Sequence, residues 1–502
     1  MAQHSREEIV NSMPRTGFFG HPKGLFTLMI TEFWERFSYY GMRAILAFYL
    51  YYETSKGGFG LEESTALQIV SIYGALIYMS GIIGGWVADR LLGTRHSILI
   101  GAVLIMIGHI LLSLPNNFTV FLFALFFLII GTGLLKPNIS SNVGELYLKN
   151  DSKVDSAFTL FVMSINLGAF LSPLLVGWLQ TRFSFHAGFA AAAIGMFIGL
   201  VIYILTAKKT LGLSGLSVPN PITAETRKKT WLYVGLLFVA IIIYIMILNV
   251  LNMLNLQSLS LTISILGVVL PVIYFITMFL SHKTTKVEKS RLLAYIPLFL
   301  ASVMFWMIQE QGATVLASFS DKRTQLDLNV VTNGLIDFTI PAAWFQSLNP
   351  LFIVTLAPFV ASLWIRLGRF NPPTVIKFGI ALMLAGSSFL VMILPLMSGN
   401  ALINPFWLVL SFFLVTVAEL CLSPVGLSTT TKLAPQAFTA QMMSIWFLSN
   451  TMAQGLNAQL VNIYTTIDST HYFGYFGAIA IGLGILIMLI SPFIKKLMQG
   501  IH

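Results

Sequence analysis

Long apolar stretches alternate with short polar ones along this chain, and the apolar stretches are longer than the core helices of a water-soluble domain. A helix that crosses the hydrocarbon of a bilayer needs about 20 mostly apolar residues. Fourteen segments meet that length: 26–50, 64–88, 97–114, 118–146, 157–180, 187–206, 231–251, 260–281, 292–317, 341–364, 375–396, 403–426, 436–461 and 473–494. Short polar turns separate most of them, so neighbouring helices run antiparallel. Two polar stretches are longer. Residues 208–230 mix Gly, Pro, Ser and basic side chains and read as a linker, and 282–291 (HKTTKVEKSR) read as a second. The hairpin between them, 231–281, has no Asp, Glu, Lys, Arg or His in either span, which suits a peripheral, lipid-facing insertion. Without it the chain reads as a polar segment 1–24 followed by six helices in 25–207 and six in 292–496. That is the plan of a secondary transporter built from two halves around a central cavity.

Composition sharpens the picture. Of 502 residues 56% are hydrophobic and only 10% charged, against about 25% charged in soluble domains, so the bilayer is the main solvent. The formal charge of +10 is dispersed between apolar runs, which argues against a nucleic-acid partner and for membrane topology. With the amino terminus in the cytoplasm, 22 of the 29 Lys and Arg, Lys149 among them, fall in cytoplasmic loops, four fall outside and three within spans. This satisfies the positive-inside rule and predicts a multi-pass protein of the cell membrane with both termini cytoplasmic. The single cysteine, Cys421, excludes an intrachain disulfide or a cysteine metal cluster. The polar first two dozen residues predict no cleavable signal peptide.

A charged side chain in hydrocarbon costs at least about 2.5 to 3.5 kcal/mol, so each one needs a partner, a wet cavity or a function. Seven stand out: Glu32, Glu35, Arg36, Arg43, Lys136, Glu310 and Glu419. In the first span Glu32, Glu35, Arg36, Tyr39, Tyr40 and Arg43 share one side of the helix. Such a stripe either locks helices together or faces a cavity, and two carboxylates beside a guanidinium suit a group that gains and loses protons. Arg43 and Glu310 sit at matching depth in the first and ninth spans, which open the two halves, so a pseudo-two-fold would pair them on the outer side. Lys136 and Glu419 share a depth in the fourth span of each half and would form an inner pair, unless Lys136 snorkels to the interface. Two pairs that break in turn would make two gates.

Tyr78, Asn166, Trp306, Gln309, Gln311, Gln346, Asn349, Ser423, Trp446, Ser449 and Asn450 also lie within or at the ends of spans. Singly each suits helix packing; together they imply an amphiphilic cavity. Fixed cations (Arg43, Lys136) and a fixed anion (Glu419) suit a zwitterion, and Tyr39, Tyr40, Tyr78, Trp306 and Trp446 suit wide aromatic walls. The residues alone thus point to a proton-driven carrier of zwitterionic or mixed-charge solutes. The rival from another class is a membrane-embedded lipid-modifying enzyme, for which the sequence offers no metal-ligand cluster, nucleotide loop or soluble catalytic domain.

Some segments carry a family likeness. The loop GGWVADRLLGTRHS, with Asp89, Arg90 and Arg95, resembles the cytoplasmic motif of the major facilitator superfamily. Glu32-Phe33-Trp34-Glu35-Arg36-Phe37-Ser38-Tyr39-Tyr40-Gly41 resembles the E-x-x-E-R-F-x-Y-Y-G signature of proton-dependent oligopeptide transporters. GTGLLKPNISS (131–141), FTLFVMSINLGAFLSP (158–173), QSLNP (346–350) and ELCLSP (419–424) resemble further segments of that family, so the likeness covers Gly20 to Lys496. The resemblance implies an all-α fold of two six-helix bundles plus a two-helix insertion, and symport of di- and tripeptides with protons by a monomer that needs no cofactor beyond the proton gradient. It implies proton coupling through Glu32, Glu35, Arg36 and Lys136, with Glu310 paired to Arg43 as a second protonation site. Arg43 and Lys136 would receive the peptide carboxylate, Glu419 its amino terminus, and Asn166 and Asn349 its backbone. Tyr39, Tyr40, Tyr78, Trp306, Ser423 and Trp446 would line the pocket. Plant relatives carry nitrate or other solutes on the same scaffold, so nitrate or a peptide-like drug stays open as the cargo.

Overall fold

The computed structural model describes residues 5–15, 17–148, 151–399 and 401–501; Lys149 and the first four residues of the amino-terminal segment lie outside them. Fourteen helices of 17 residues or more account for most of the described chain. The first six are α1 (Lys23–Tyr51), α2 (Glu63–Val87), α3 (Gly93–Ser113), α4 (Phe118–Glu145), α5 (Val154–Arg182) and α6 (Phe185–Thr210). The hairpin is α7 (Ala224–Val250) and α8 (Leu256–Leu280). The last six are α9 (Lys286–Glu310), α10 (Leu348–Leu367), α11 (Thr374–Leu390), α12 (Phe406–Leu433), α13 (Thr439–Thr466) and α14 (Ser469–Leu489). Among the described residues extended pairing is limited to two isolated bridges, Thr324 with Ile403 and Asp327 with Thr339.

Local chemistry sets the starts of several helices. Asn117, Ser184, Thr223, Asn255 and Thr285 each present a side-chain oxygen to a backbone N–H in the first turn, which satisfies a donor the helix cannot. α4 runs unbroken through Pro137 to Glu145. The stretch expected as one helix over 292–317 is divided. α9 stops at Glu310, a 3-10 turn covers Gln311–Ala313, and a short helix Val315–Lys322 follows. The carbonyl of Gly312 in that break accepts from Gln346 Nε2, so the freed backbone group is not left unpaired.

In the first group α1 packs on α5 and α6, and α3 on α4; in the second α11 packs on α12 and α14, and α9 on α13. Lipid gives no hydrophobic push between helices, so contact depends on close approach. Glycine provides it in both groups. A Cβ on Gly101 of α3 would lie 2.6 Å from the Gly131 carbonyl oxygen of α4, and one on Gly386 of α11 2.5 Å from that of Gly477 of α14. The groups meet where α13 lies against α2 and α10 against α5.

Among the described residues eleven helical stretches are long and apolar enough to cross a membrane, and one of them, Glu63–Ser113, contains both α2 and α3. α1 and α13 are not among them because they face protein rather than lipid. α1 buries Glu32, Glu35 and Arg36; α13 buries Ser449, Asn450, Thr451, Gln454 and Asn457. The hairpin shows the opposite pattern. Of its large apolar side chains α7 buries only Leu248, while α8 is fixed to the bundle by Ser264 Oγ, which donates to the Gly455 carbonyl at 2.6 Å.

The connections differ from the sequence reading. The second linker, expected over 282–291, is helical from Lys286 onward because Thr285 and Glu288 form a reciprocal cap. The first shortens to 211–223, and much of it is docked. Ser214 Oγ and Gly215 N donate to Glu145 Oε2 at 3.0 and 2.8 Å, Arg95 Nη1 donates to the Gly212 carbonyl at 2.8 Å, and Asn220 Nδ2 donates to the Asp89 carboxylate at 2.8 Å. The short amino-terminal helix Arg6–Asn11 joins the same face, since Arg6 Nε donates to the Tyr147 carbonyl at 2.8 Å and Leu213 N donates to Ser12 Oγ at 2.9 Å.

Close helix approach carries a testable requirement. A Cβ on Gly84 of α2 would overlap the Gly133 carbonyl of α4, whereas Gly85 beside it faces open space. Gly84→Val should therefore cost about 1–3 kcal/mol or more, read as a lowered melting temperature in detergent, and Gly85→Ala should leave it unchanged.

Candidate functional site

The charged residues of the spans converge between the two groups of helices. Arg43 of α1 forms an ion pair with Glu310 at the end of α9, and both side chains are nearly buried. Glu310 is satisfied from further directions. Its Oε1 accepts from Asn450 Nδ2 at 3.0 Å and Tyr78 OH at 3.4 Å, and its Oε2 accepts from Gln454 Nε2 at 2.6 Å as well as from Arg43. Four helices thus meet at one carboxylate, two from each group.

Two and three turns before Arg43, Glu32, Glu35 and Arg36 form a fully buried cluster. Arg36 binds both oxygens of Glu35, with Nη2 donating to Oε1 at 2.6 Å, and its Nε lies 3.3 Å from Glu32 Oε1. Glu32 Oε2 has no hydrogen-bond partner. The Lys136 ammonium of α4 lies 5.1 Å from the centroid of the Tyr78 ring and interacts electrostatically with Arg36, Glu35, Glu32 and Glu310. Two carboxylates are therefore matched by two cations, with one carboxylate oxygen unclaimed.

Glu419 of α12 stands apart. Gln309 Nε2 and Asn349 Nδ2 donate to its Oε2 at 3.0 and 2.9 Å, and Asn349 is also held by Thr416 Oγ1 at 3.0 Å. Both bonds reach the same oxygen, Oε2. A cavity joins these groups. It is lined by Tyr40, Arg43, Ala44 and Tyr78 from the first group and by Trp306, Gln309, Glu310, Gly312, Ala313, Gln346, Asn349, Pro350, Phe412 and Glu419 from the second.

The two groups of helices are bonded together at the end that holds Tyr51 and Glu63. There Tyr51 and Tyr52 donate to Asp321 at 2.8 and 2.6 Å, Ser318 and Lys322 bind Glu63, and Gln68 Nε2 donates to the Ala458 carbonyl at 3.1 Å. Trp344 Nε1 and Ser347 Oγ donate to the Leu174 and Phe170 carbonyls of α5 at 2.9 and 2.8 Å. All of these join one group of helices to the other.

Of the residues singled out in the sequence, Arg43 and Glu310 pair as expected, and Tyr40, Tyr78, Trp306, Asn349 and Glu419 line the cavity. The expected Lys136–Glu419 pair is not formed: Lys136 faces the α1 cluster, while Glu419 is held by amides of its own half. Four residues expected in the lining are placed elsewhere. Tyr39 is buried beneath the Arg36 guanidinium, 4.9 Å from its ring centroid. Asn166 donates to the Val162 carbonyl one turn back on its own helix at 3.0 Å. Trp446 is buried over Gly426, and Ser423 Oγ is buried without a partner one turn beyond Glu419. Gln309 and Gln346, named above among the residues of an amphiphilic cavity, do line it, and Gln454, not singled out, joins the site through Glu310. Their signal was present in the sequence as amides in spans, Gln454 one helical turn after Asn450. Among the described residues no group of three or more His, Cys, Asp or Glu could hold a metal ion.

Comparison with known proteins gives a consistent result. The sequence profile of the POT family matches residues 95–479. The chain is 53% identical to an uncharacterized transporter, YclF, of Bacillus subtilis over the full length of both. It is 45% identical to a di-/tripeptide transporter of Lactococcus lactis subsp. cremoris over 97% of this chain and 98% of that one. A crystal structure of a peptide transporter POT (E310Q mutant) in complex with alafosfalin superposes with a TM-score of 0.93 at 53% identity, covering 99% of this chain and 100% of that chain.

The geometry at Glu310 predicts a specific thermodynamic coupling. Arg43→Met alone leaves a buried carboxylate without its cation and should destabilise the protein by about 3–5 kcal/mol. Arg43→Met with Glu310→Met should cost less than the single change, and a double-mutant cycle on thermal unfolding in detergent would measure the difference.

Proposed function

The chain belongs to the POT family, and from that premise we propose that it carries di- and tripeptides into the cell together with protons, without changing them chemically. The observation that carries this reading is the placement of charge around one cavity: Arg43 in its wall on one side, Lys136 behind the lining residue Tyr78, and a Glu419 carboxylate with one oxygen hydrogen-bonded on the other. A peptide carboxylate matches Arg43 and Lys136, and its ammonium matches Glu419 Oε1. Tyr40, Tyr78, Trp306 and Phe412 offer contact area without fixed demands on side chains, which suits a cargo of variable sequence.

Proton coupling follows from charge balance. The α1 cluster pairs two carboxylates with Arg36 and Lys136, so a peptide carboxylate arriving at Lys136 adds a negative charge that a proton on Glu32 or Glu35 offsets. A proton on Glu310 removes the counter-ion of Arg43, which weakens the link between halves and frees the guanidinium for the peptide. The first event resets the charge inside the first bundle and the second loosens the Arg43–Glu310 bond between the halves, about which the two six-helix halves rock.

The proposed topology places both termini in the cytoplasm, supported by the Lys and Arg bias of the loops. The latch at Tyr51, Glu63 and Asp321 then closes the outer side, and the cavity of this conformation faces inward. The proposed division, with its bounds taken at the helix ends, is a cytoplasmic amino-terminal segment, a first bundle 23–210, a linker 211–223, the hairpin 224–280, a connection 281–285 and a second bundle from 286. A single chain contains all the groups of the cavity, which supports action as a monomer.

The test is uptake of labelled di- and tripeptides into proteoliposomes under an imposed inward proton gradient. The native chain should accumulate them; nitrate in their place would redirect the reading to another cargo. Glu419→Gln should lower uptake about tenfold or more while folding normally, and undiminished uptake would remove the amino-terminus assignment. Glu32→Gln and Glu35→Gln should impair gradient-driven accumulation more than counterflow exchange, whereas equal loss of both would mark the cluster as structural.

A further inference from the structure

On the lipid-facing surface, far along the chain from the cavity residues of α1, α8 and α9 leave an apolar groove of about 260 Å³ between them, lined by Phe275, Ile276, Phe279, Leu280, Leu293 and Ile296. Its walls are open: Ile276 is 50% exposed, Leu280 68% and Leu293 42%. The groove ends at the connection from α8 to α9, and there the sequence turns basic with Lys283, Lys286 and Lys289. Lys286, Lys289, Leu293 and Ile296 follow one another at spacings of a helical turn or two, so the cations continue the apolar wall along one stripe of α9. The Lys289 ammonium lies 5.6 Å from the centroid of the Phe279 ring across the groove, which keeps a positive charge at its mouth.

The nearby acid offsets only one of these three positive charges. Glu288 accepts from Thr285 N at 2.8 Å, Thr285 Oγ1 at 2.9 Å and Gln436 N at 2.9 Å, so its carboxylate serves the helix cap and the connection before α13. None of the three lysines forms an ion pair among the described residues. An apolar slot that opens under unpaired lysines is complementary to a lipid with a net negative headgroup. A zwitterionic lipid brings its own cation to the same mouth and gains less.

We propose that this groove binds an anionic phospholipid of the leaflet on the side of the chain termini, with an acyl chain along Phe275, Ile276 and Leu293 and the phosphate at Lys286 and Lys289. Because its walls come from the hairpin on one side and the second bundle on the other, the lipid bridges the insertion to the bundle.

The test uses the full chain purified in detergent and titrated with phosphatidylglycerol, phosphatidylcholine or inorganic phosphate, with binding read by native mass spectrometry and the melting temperature. It does not depend on transport, so failure here and failure of the transport reading are distinguishable. Phosphatidylglycerol should bind about tenfold or more tightly than phosphatidylcholine, and inorganic phosphate should not stabilise. Lys286→Gln with Lys289→Gln should remove that preference, Lys286→Arg with Lys289→Arg should keep it, and Leu293→Trp, which fills the groove but leaves the lysines, should weaken binding of both lipids. Equal affinity for the two lipids, stabilisation by phosphate alone, or a preference that survives in both Lys286→Gln/Lys289→Gln and Leu293→Trp would overturn the proposal.

Discussion

The ion pair between Arg43 and Glu310 is the constraint around which the rest of the structure is arranged. Neither charge can be left bare at membrane depth, and neither half of the molecule has the means to satisfy it alone. α1 supplies the guanidinium and α2 the phenol of Tyr78; α9 supplies the carboxylate and α13 the two amides of Asn450 and Gln454. Separation of the halves at this point requires a substitute charge or a proton. The contact thus couples packing to ionisation, which an apolar seam between bundles could not do.

That constraint divides the helices into two kinds. α1 and α13 contribute most to the polar interior and are shielded by neighbours, whereas α7 stands almost entirely in lipid. Between these extremes the bundles are assembled by small residues. The approach of Gly101 to Gly131 in the first bundle has its counterpart in Gly386 and Gly477 in the second, so both halves solve the absence of a hydrophobic drive in the same way. Polar specificity is then confined to the seam.

Much of this was legible in the sequence because a bilayer imposes a length and a polarity on every span. The fourteen segments and the buried stripe of α1 follow from hydropathy and helical spacing, and the Arg43–Glu310 pair from equal depth in equivalent helices. Depth, however, fixes only one coordinate. Lys136 and Glu419 share a height but face different neighbours, because rotation about the helix axis is set by packing. The same holds for Asn166 and Trp446, which lie on polar-bearing helices yet point to their own backbone or to Gly426. The partner of Gln346 was obscured for another reason: it is a carbonyl freed where α9 breaks at Gly312, and hydropathy reads through that break as continuous helix.

The linker after α6 does not hang free. Residues 212–220 are bonded through Ser12 of the amino-terminal segment and through Asp89, Arg95, Asn142 and Glu145 of the first bundle, so this part of the tether has no slack. What joins the halves mechanically is a few residues at 221–223 and then the hairpin itself, whose α8 touches α2 on one side and α13 on the other. If the bundles rotate, α8 is sheared between a surface of each, and the hairpin becomes a friction plate whose grip sets how far and how fast the hinge can swing.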